Sequence, residues 1–298
     1  MLDVRRLRLL CDLSRLGTIA AVAETHTYTP SAVSQQLSAL EREAGTALLE
    51  RTGRRVTLTG AGRVLVTHAE TVLAALERTE AALAAASSGP SGELRIGAFP
   101  SAISTLLTPA LVTLGERHPA LDLMVTEIDP AAVPAALLDR RLDVGLIQDY
   151  DVVPQQWDPG LDSVPMLDEA VHLAGTGPGT DLSDHRDANW ILATPGTLCH
   201  TATLQICRAA GFAPRGRHRV DDFGTVLALV AAGQGVAMVP QLATGRLPAG
   251  VTLLPLPTRR RTRVAFRRGA ASHPAVAAFL STLPADRDRK LTRRRLAR

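Results

Sequence analysis

The sequence predicts an α+β protein of several domains: a small helical head, a long helix, and a two-lobed α/β body. Three observations predict it. The first 44 residues hold three short helical patterns. A 4-3-4-3 repeat of small and apolar residues runs from Leu65 to Ala86, and from Glu93 strand-like and helix-like segments alternate to near Leu283. At 298 residues the chain exceeds one ordinary core and fits two or three domains.

The head comes first. Val4 to Leu16 reads as a helix with Leu7, Leu10, Cys11 and Ser14 on one face, and Gly17 stops it. Thr18 can cap a second helix, Ile19 to Glu24, and a turn passes through His26, Thr27 and Tyr28. Thr29 offers the next N-cap oxygen, and Pro30 fits the first helical position, where its missing N–H is no loss. In the third helix Val33, Leu37, Leu40 and Ala44 form one apolar stripe. Ser31, Ser34, Gln35, Ser38 and Arg42 fall on the opposite face, which is small, polar and nearly free of acidic groups. Periodicity alone favours a plain solvent face. The compact three-helix setting favours a helix-turn-helix, whose second helix presents such groups to a major groove, with Thr29 at its start.

Beyond Gly45, Leu48-Leu49-Glu50-Arg51 and Arg55-Val56-Thr57-Leu58 flank a Thr52-Gly53 turn, which predicts a short hairpin or wing. Arg54 and Arg55 at its tip suit phosphate or a narrow minor groove. The stretch Tyr28-Thr29-Pro30-Ser31-Ala32-Val33-Ser34-Gln35-Gln36-Leu37, followed by Leu40-Glu41, Leu49-Glu50-Arg51 and Leu58-Thr59, resembles the LysR-type transcriptional regulators. The resemblance extends to about Leu283 and is most specific in this N-terminal motif. Many members of that family carry a basic residue where this chain has Gln35. The resemblance implies a winged helix-turn-helix on a double-stranded operator, a homodimer that often pairs into a tetramer, RNA polymerase as a candidate partner, and a small-molecule effector.

Thr59 can cap a long helix from Gly60 to about Ser87. Leu65, Ala69, Val72, Leu76, Thr79, Leu83 and Ala86 form a heptad seam with Thr79 as its one polar member. A stripe of that length needs a covering partner. In the resembled family two such linker helices pair; the alternative is packing against the chain's own body. Ser87-Ser88-Gly89-Pro90-Ser91-Gly92 then marks a boundary.

The body opens with the segments 94–99, 101–116, 121–127, 131–140 and 142–147, a β-α-β-α-β series that implies a mostly parallel sheet. A similar series starts near Val164, with strands at 169–174, 190–193 and 235–240 and helices at 199–210 and 223–232. The chain returns to the first lobe near Thr262–Phe266 and ends on a helix at 273–283. Expected domains are therefore 1–59 (DNA-binding), 60–88 (linker) and 92–298 (effector-binding), with lobe one at 92–163 and 263–285 and lobe two at 164–262. Two α/β lobes joined by two crossovers make a periplasmic-binding-protein-like body with its ligand in the cleft, as the resemblance also implies. Ligands of open α/β sheets sit beyond the carboxyl ends of strands. That places Pro100, Ser101, Ala102 and Gln148 of lobe one, and Pro195, Gly196, Thr197 and Leu198 of lobe two, at the cleft. Ser101 and Thr197 match effector-contacting positions of the resembled family, although plain N-capping accounts for them equally well. Helix starts bearing hydroxyls suit a small organic anion.

Other signals are weaker. Residues 1–60, 61–258 and 259–298 net +2, −9 and +11, so the sequence pI of about 9.5 reflects mainly the C-terminal end. The Arg289–Arg298 run reads as a solvated tail rather than a second DNA site. No apolar run approaches the ~20 residues of a membrane span; the start lacks a signal-peptide core, and three cysteines make no disulfide framework. The expectation is a cytoplasmic protein. Cys199 and Cys207 admit a redox-sensing regulator, but a helix would hold them about 12 Å apart along its axis, too far for a disulfide. His200 beside Cys199 lacks a third metal ligand. Asp149 and Asp151 read as a solvated loop rather than a catalytic pair. No catalytic motif, metal site or cofactor is expected. A solute-binding protein for transport is the remaining alternative, opposed by the DNA-reading head.

Overall fold

The computed structural model describes residues 1–52, 55–86, 89–177 and 179–283, which divide into two compact units. Unit one comprises Met1–Ser88 with Arg267–His273; unit two comprises Gly89–Phe266 with the chain from Pro274 onward.

Unit one begins with α1 (Val4–Leu16), α2 (Ile19–Thr25) and α3 (Pro30–Ala44). Each start is capped as its sequence dictates. Asp3 accepts from the Arg5 and Arg6 amides, Thr18 from Ala21, and Thr29 from Ala32. Gly17 ends α1 with φ 75°, a left-handed conformation that costs glycine nothing, and its amide bonds Leu13 O at 2.9 Å. Leu7, Leu10, Leu13, Val22, Val33, Leu37 and Leu40 meet in one buried cluster. β1 (Leu49–Thr52) and β2 (Arg55–Leu58) pair antiparallel, Leu49 opposite Leu58, which is the expected wing. Arg54 lies outside the described residues, and only the strand position of Arg55 is described.

Then comes α4 (Gly60–Ala85), capped by Thr59, with a span of roughly 40 Å at 1.5 Å per residue. Its start lies so close to β1 that a Cβ on Gly62 would meet Leu48 O at 2.2 Å, so glycine is required there. The heptad seam is split. Leu65 and the buried Ala69 pack into the head's core, whereas Val72, Leu76, Thr79, Leu83 and Ala86 are exposed. On another face Ala74, Glu77 and Ala81 are buried, and Arg267 Nε donates to Glu77 at 2.7 Å.

Unit two is built on a six-stranded sheet flanked by helices. Its strands are β3 (Gly92–Ala98), β4 (Leu121–Glu127), β5 (Val144–Tyr150), β6 (Leu161–Gly175), β9 (Ala237–Pro240) and β10 (Thr252–Arg267), in the order β4-β3-β5-β10-β6-β9. A parallel pair, β7 (Asn189–Leu192) with β8 (Arg215–Arg219), joins lobe two through a Trp190–Val236 bridge. Lobe one is the parallel β4-β3-β5 core with β10 added antiparallel; lobe two carries β6, β9 and the β7-β8 pair. The two crossovers are long single strands rather than loops. β6 begins at Leu161 and β10 at Thr252, both earlier than the sequence pattern suggests, because Pro165 in the first half of β6 and Pro255 and Pro257 in the first half of β10 read as strand breakers.

Helices α5 (Pro100–Ala102), α6 (Thr108–Arg117), α7 (Val133–Leu138), α8 (Leu198–Ala209), α9 (Phe223–Ala231) and α10 (Pro274–Thr282) complete the body. The single helix expected from Ser101 to Glu116 is interrupted by a π turn over Ile103–Leu107, just before Pro109, whose missing amide breaks regular α-helical bonding. Asp149 and Asp151 are not a solvated loop pair: both are held by Arg261, Asp149 at 3.0 Å. The Arg289–Arg298 run lies outside the described residues. Among the described residues no helix is long and apolar enough to cross a membrane.

Candidate functional site

In the head the buried cluster fixes which side of α3 faces outward. Val33, Leu37 and Leu40 are sunk in the core, so Thr29, Ser31, Gln35, Ser38 and Arg42 are exposed and Ser34 is half-buried. The outward groups are hydroxyls, an amide and a guanidinium, with Arg42 the only charge among them. Neighbouring acidic groups are turned to structural work. Glu41 Oε1 accepts the Leu48 and Leu49 amides, each at 3.0 Å, fixing the wing to α3, and Glu43 pairs with Arg6. Gln36 is tied back as well, accepting from Arg6 Nε at 2.9 Å. The turn before α3 is anchored through Asp12, which bonds His26 Nε2 at 2.7 Å and Arg15 Nη2 at 3.0 Å. His26 in turn stacks on Tyr28, ring centroids 6.1 Å apart. The orientation of α3 thus rests on a packed core and a polar clamp.

Unit two contains a cavity of about 860 Å³ between its lobes. Pro100, Ser101, Gln148, Thr197 and Leu198 line it, as expected from topology. Ala102 does not: its side chain is fully buried in lobe one, because α5 turns that position inward. Pro195 and Gly196, exposed in the turn before α8, are not part of the lining either. Thr197 lines the cavity, but its hydroxyl is committed. It donates to Thr194 O at 2.8 Å and accepts from the His200 amide at 3.2 Å. Ser101 differs, since its buried Oγ has no hydrogen-bond partner among the described residues.

The floor of the cavity was not evident from sequence. In the β5–β10 register Gln148 lies opposite Thr262 and Tyr150 opposite Arg260, so these side chains share one face of the sheet. Gln148, Tyr150 and Arg260 line the cavity and are 6, 1 and 1% exposed. The buried Thr262 Oγ1 has no hydrogen-bond partner among the described residues. Arg260 Nε donates to Glu169 Oε1 at 2.8 Å, and Nη2 lies 2.7 Å from the same oxygen without hydrogen-bond geometry. The guanidinium carbon lies 5.1 Å from the centre of the Phe99 ring. Burial opposes the Arg260 charge, but Glu169, Tyr150 and Cys199 outweigh it and hold its pKa above the ordinary value. Burial pushes the Tyr150 phenol well up, so it remains a donor. A buried guanidinium whose Nη2 makes no hydrogen bond, a phenol, an amide and hydroxyls make a polar floor.

One signal for that floor lay in the Arg259-Arg260-Arg261 run, which belongs to a strand rather than a basic tail. Arg259 pairs with Asp168 at 2.6 Å, Arg260 with Glu169, and Arg261 with Asp149. Cys199 and Cys207 both lie on α8; burial pushes their thiols up to about 11 and about 12. Among the described residues no group of His, Cys, Asp or Glu could hold a metal ion.

Comparison with known proteins agrees across the chain. Residues 4–63 match the model for bacterial regulatory helix-turn-helix proteins of the lysR family, and residues 87–287 match the LysR substrate binding domain. The chain is 32% identical over 292 residues to a protein of Streptomyces viridosporus described as "Probable hydrogen peroxide-inducible genes activator", covering 90% of this chain and 92% of that one. Among solved structures it is similar to an OxyR mutant of Corynebacterium glutamicum, at TM-score 0.58 and 24% identity, covering 100% of this chain and 93% of that one. It is also similar to full-length CbnR complexed with its target DNA, at TM-score 0.52 and 24% identity, covering 95% and 98%. The chain belongs to the LysR family of bacterial transcriptional regulators, with a winged helix-turn-helix head and a two-lobed effector-binding body.

Proposed function

We propose that this regulator reads its operator with Thr29, Ser31, Ser34, Gln35, Ser38 and Arg42, and that a small organic ligand bearing an anionic group, held between the lobes, switches it. The observation that carries the effector reading is the floor: Ser101 Oγ, buried without a hydrogen-bond partner among the described residues, opens onto the same cavity as the buried Gln148, Tyr150 and Arg260 side chains. Buried polar groups in folded proteins are nearly always hydrogen-bonded, so unpartnered ones around a cavity call for a ligand or water. The exposed Val72, Leu76 and Leu83 support pairing of α4 with a second copy. A thermal-shift screen of metabolites on the full chain tests the effector reading. Compounds that raise the melting temperature of wild type but not of Gln148→Ala support it, and equal shifts in both proteins contradict it.

A redox-sensing reading through Cys199 and Cys207 is favoured by the description carried by the Streptomyces relative. Against it stand the raised thiol pKa values, since the reactive form is the thiolate, and the separation of the two cysteines along α8. Mass mapping after peroxide treatment distinguishes the two, and the effector reading expects both thiols to remain reduced.

A further inference from the structure

The charges around the cavity narrow the class of ligand. This step rests on the cleft being the effector site. The floor supplies donors: the Arg260 guanidinium, the Tyr150 phenol, the Gln148 amide and the Ser101 hydroxyl. The rim is of opposite character. Glu127 at the end of β4 and Asp129 just after it, in lobe one, line the cavity, as do Asp221 and Asp222, before α9 in lobe two. All four are exposed. Two of them already serve the fold, Asp221 accepting from Thr194 and Asp222 capping α9. The Glu127 carboxylate accepts no hydrogen bond and joins no ion pair among the described residues, and the Asp129 carboxylate uses only Oδ1, for the Ala131 amide. Against these carboxylates the lining offers Arg246 and Arg260, and Glu169 balances Arg260 from behind.

A ligand with only an anionic group would meet four rim carboxylates against the one exposed guanidinium of Arg246. A purely cationic ligand would leave the donor floor unanswered. The rim carboxylates are also not gathered closely enough to hold a metal ion. Ile191, Val220 and Phe223 add an apolar wall from lobe two. We propose that the cleft takes an amphoteric ligand, an α-amino acid with an apolar side chain of leucine to phenylalanine size. Its carboxylate lies on the floor, its ammonium toward Glu127 and Asp129, and its side chain against the Ile191–Phe223 wall. The anionic group of the effector reading thus becomes one end of a zwitterion.

The test is calorimetric titration of the full chain with two matched sets of probes. One set is L-phenylalanine, 3-phenylpropanoate and 2-phenylethylamine; the other is L-leucine, 4-methylpentanoate and 3-methylbutylamine. At least one amino acid should bind about tenfold or more tighter than both of its truncated analogues, the usual effect of losing a hydrogen-bonded charge. Glu127→Gln should weaken that amino acid yet tighten its carboxylate-only analogue, a divergence that general damage to the fold does not produce. Gln148→Ala should weaken the amino acid and the carboxylate but leave the amine unchanged. The proposal is overturned if the carboxylate binds as tightly as the amino acid, or if neither amino acid binds. Ala193→Trp, which fills the cleft, separates the two levels of the argument. A carboxylate-only ligand that is lost in this variant leaves the cleft as the effector site and removes the amphoteric assignment. Amino acid binding that survives in a folded Ala193→Trp protein removes the cleft reading itself.

Discussion

The head and the cleft hold their polar groups in opposite ways. On α3 the outward side chains stand in solvent over an apolar core, each within 13 residues of the others in the chain. On the cleft floor the polar groups are buried, and they come from β3–α5, β5, β6 and β10, with Arg260 and its partner Glu169 lying 91 residues apart. An exposed face loses little when one of its members is removed, because water replaces the contact. A buried set is interdependent, since removing one member strands another in a medium that solvates it poorly. Reading DNA and sensing a ligand therefore place different demands on stability within one chain.

The sharpest break of that comparison is Glu169→Ala. It leaves the 1%-exposed Arg260 without its counter-charge and removes the acceptor of the Leu242 amide, so it should destabilise unit two by about 3–5 kcal/mol in denaturant unfolding. Adding Arg260→Met should recover much of that loss, because the stranded charge is then gone. In the head, Leu37→Ala should cost about 2–5 kcal/mol by opening a void beneath the reading face, measured in the same way. A polar change on that face should behave differently. Gln35→Ala should leave the unfolding midpoint in place and alter discrimination among operator sequences by about 1–3 kcal/mol in competition gel shifts. If it instead weakens binding to all sequences equally, the amide contacts no base edge. Thr29→Ala removes a cap rather than a core contact, and should cost about 1 kcal/mol. Leu76→Glu changes assembly rather than folding. The mutant should sediment as a monomer, with a melting temperature that no longer depends on protein concentration, if the exposed stripe of α4 carries the dimer.

The same contrast explains what the sequence made legible. The head's caps, apolar stripe and polar face are all local patterns, and α1, α2 and α3 fall within a residue of where spacing put them. Topology alone located the strand ends, and with them Pro100, Ser101, Gln148, Thr197 and Leu198. It could not show that α5 turns Ala102 inward, or that the Thr197 hydroxyl is spent on Thr194. The linker seam was legible as a repeat, but not that its first turns serve the head's own core through Ala69. Tyr150, Glu169 and Arg260 escaped because their meaning depends on register between distant strands. The Arg259-Arg260-Arg261 run carries no such meaning until each guanidinium meets its carboxylate across the sheet.

The central claim is that occupancy of the cleft governs operator binding. The direct measurement is operator affinity of the full chain, by fluorescence anisotropy, with and without the compound that most raises its melting temperature, in wild type and in Gln148→Ala. The account predicts that the compound shifts wild-type affinity, and that Gln148→Ala binds the operator like unliganded wild type whether or not the compound is present at the same concentration. A Gln148→Ala protein that responds to the compound as fully as wild type, at the same concentrations, would contradict it.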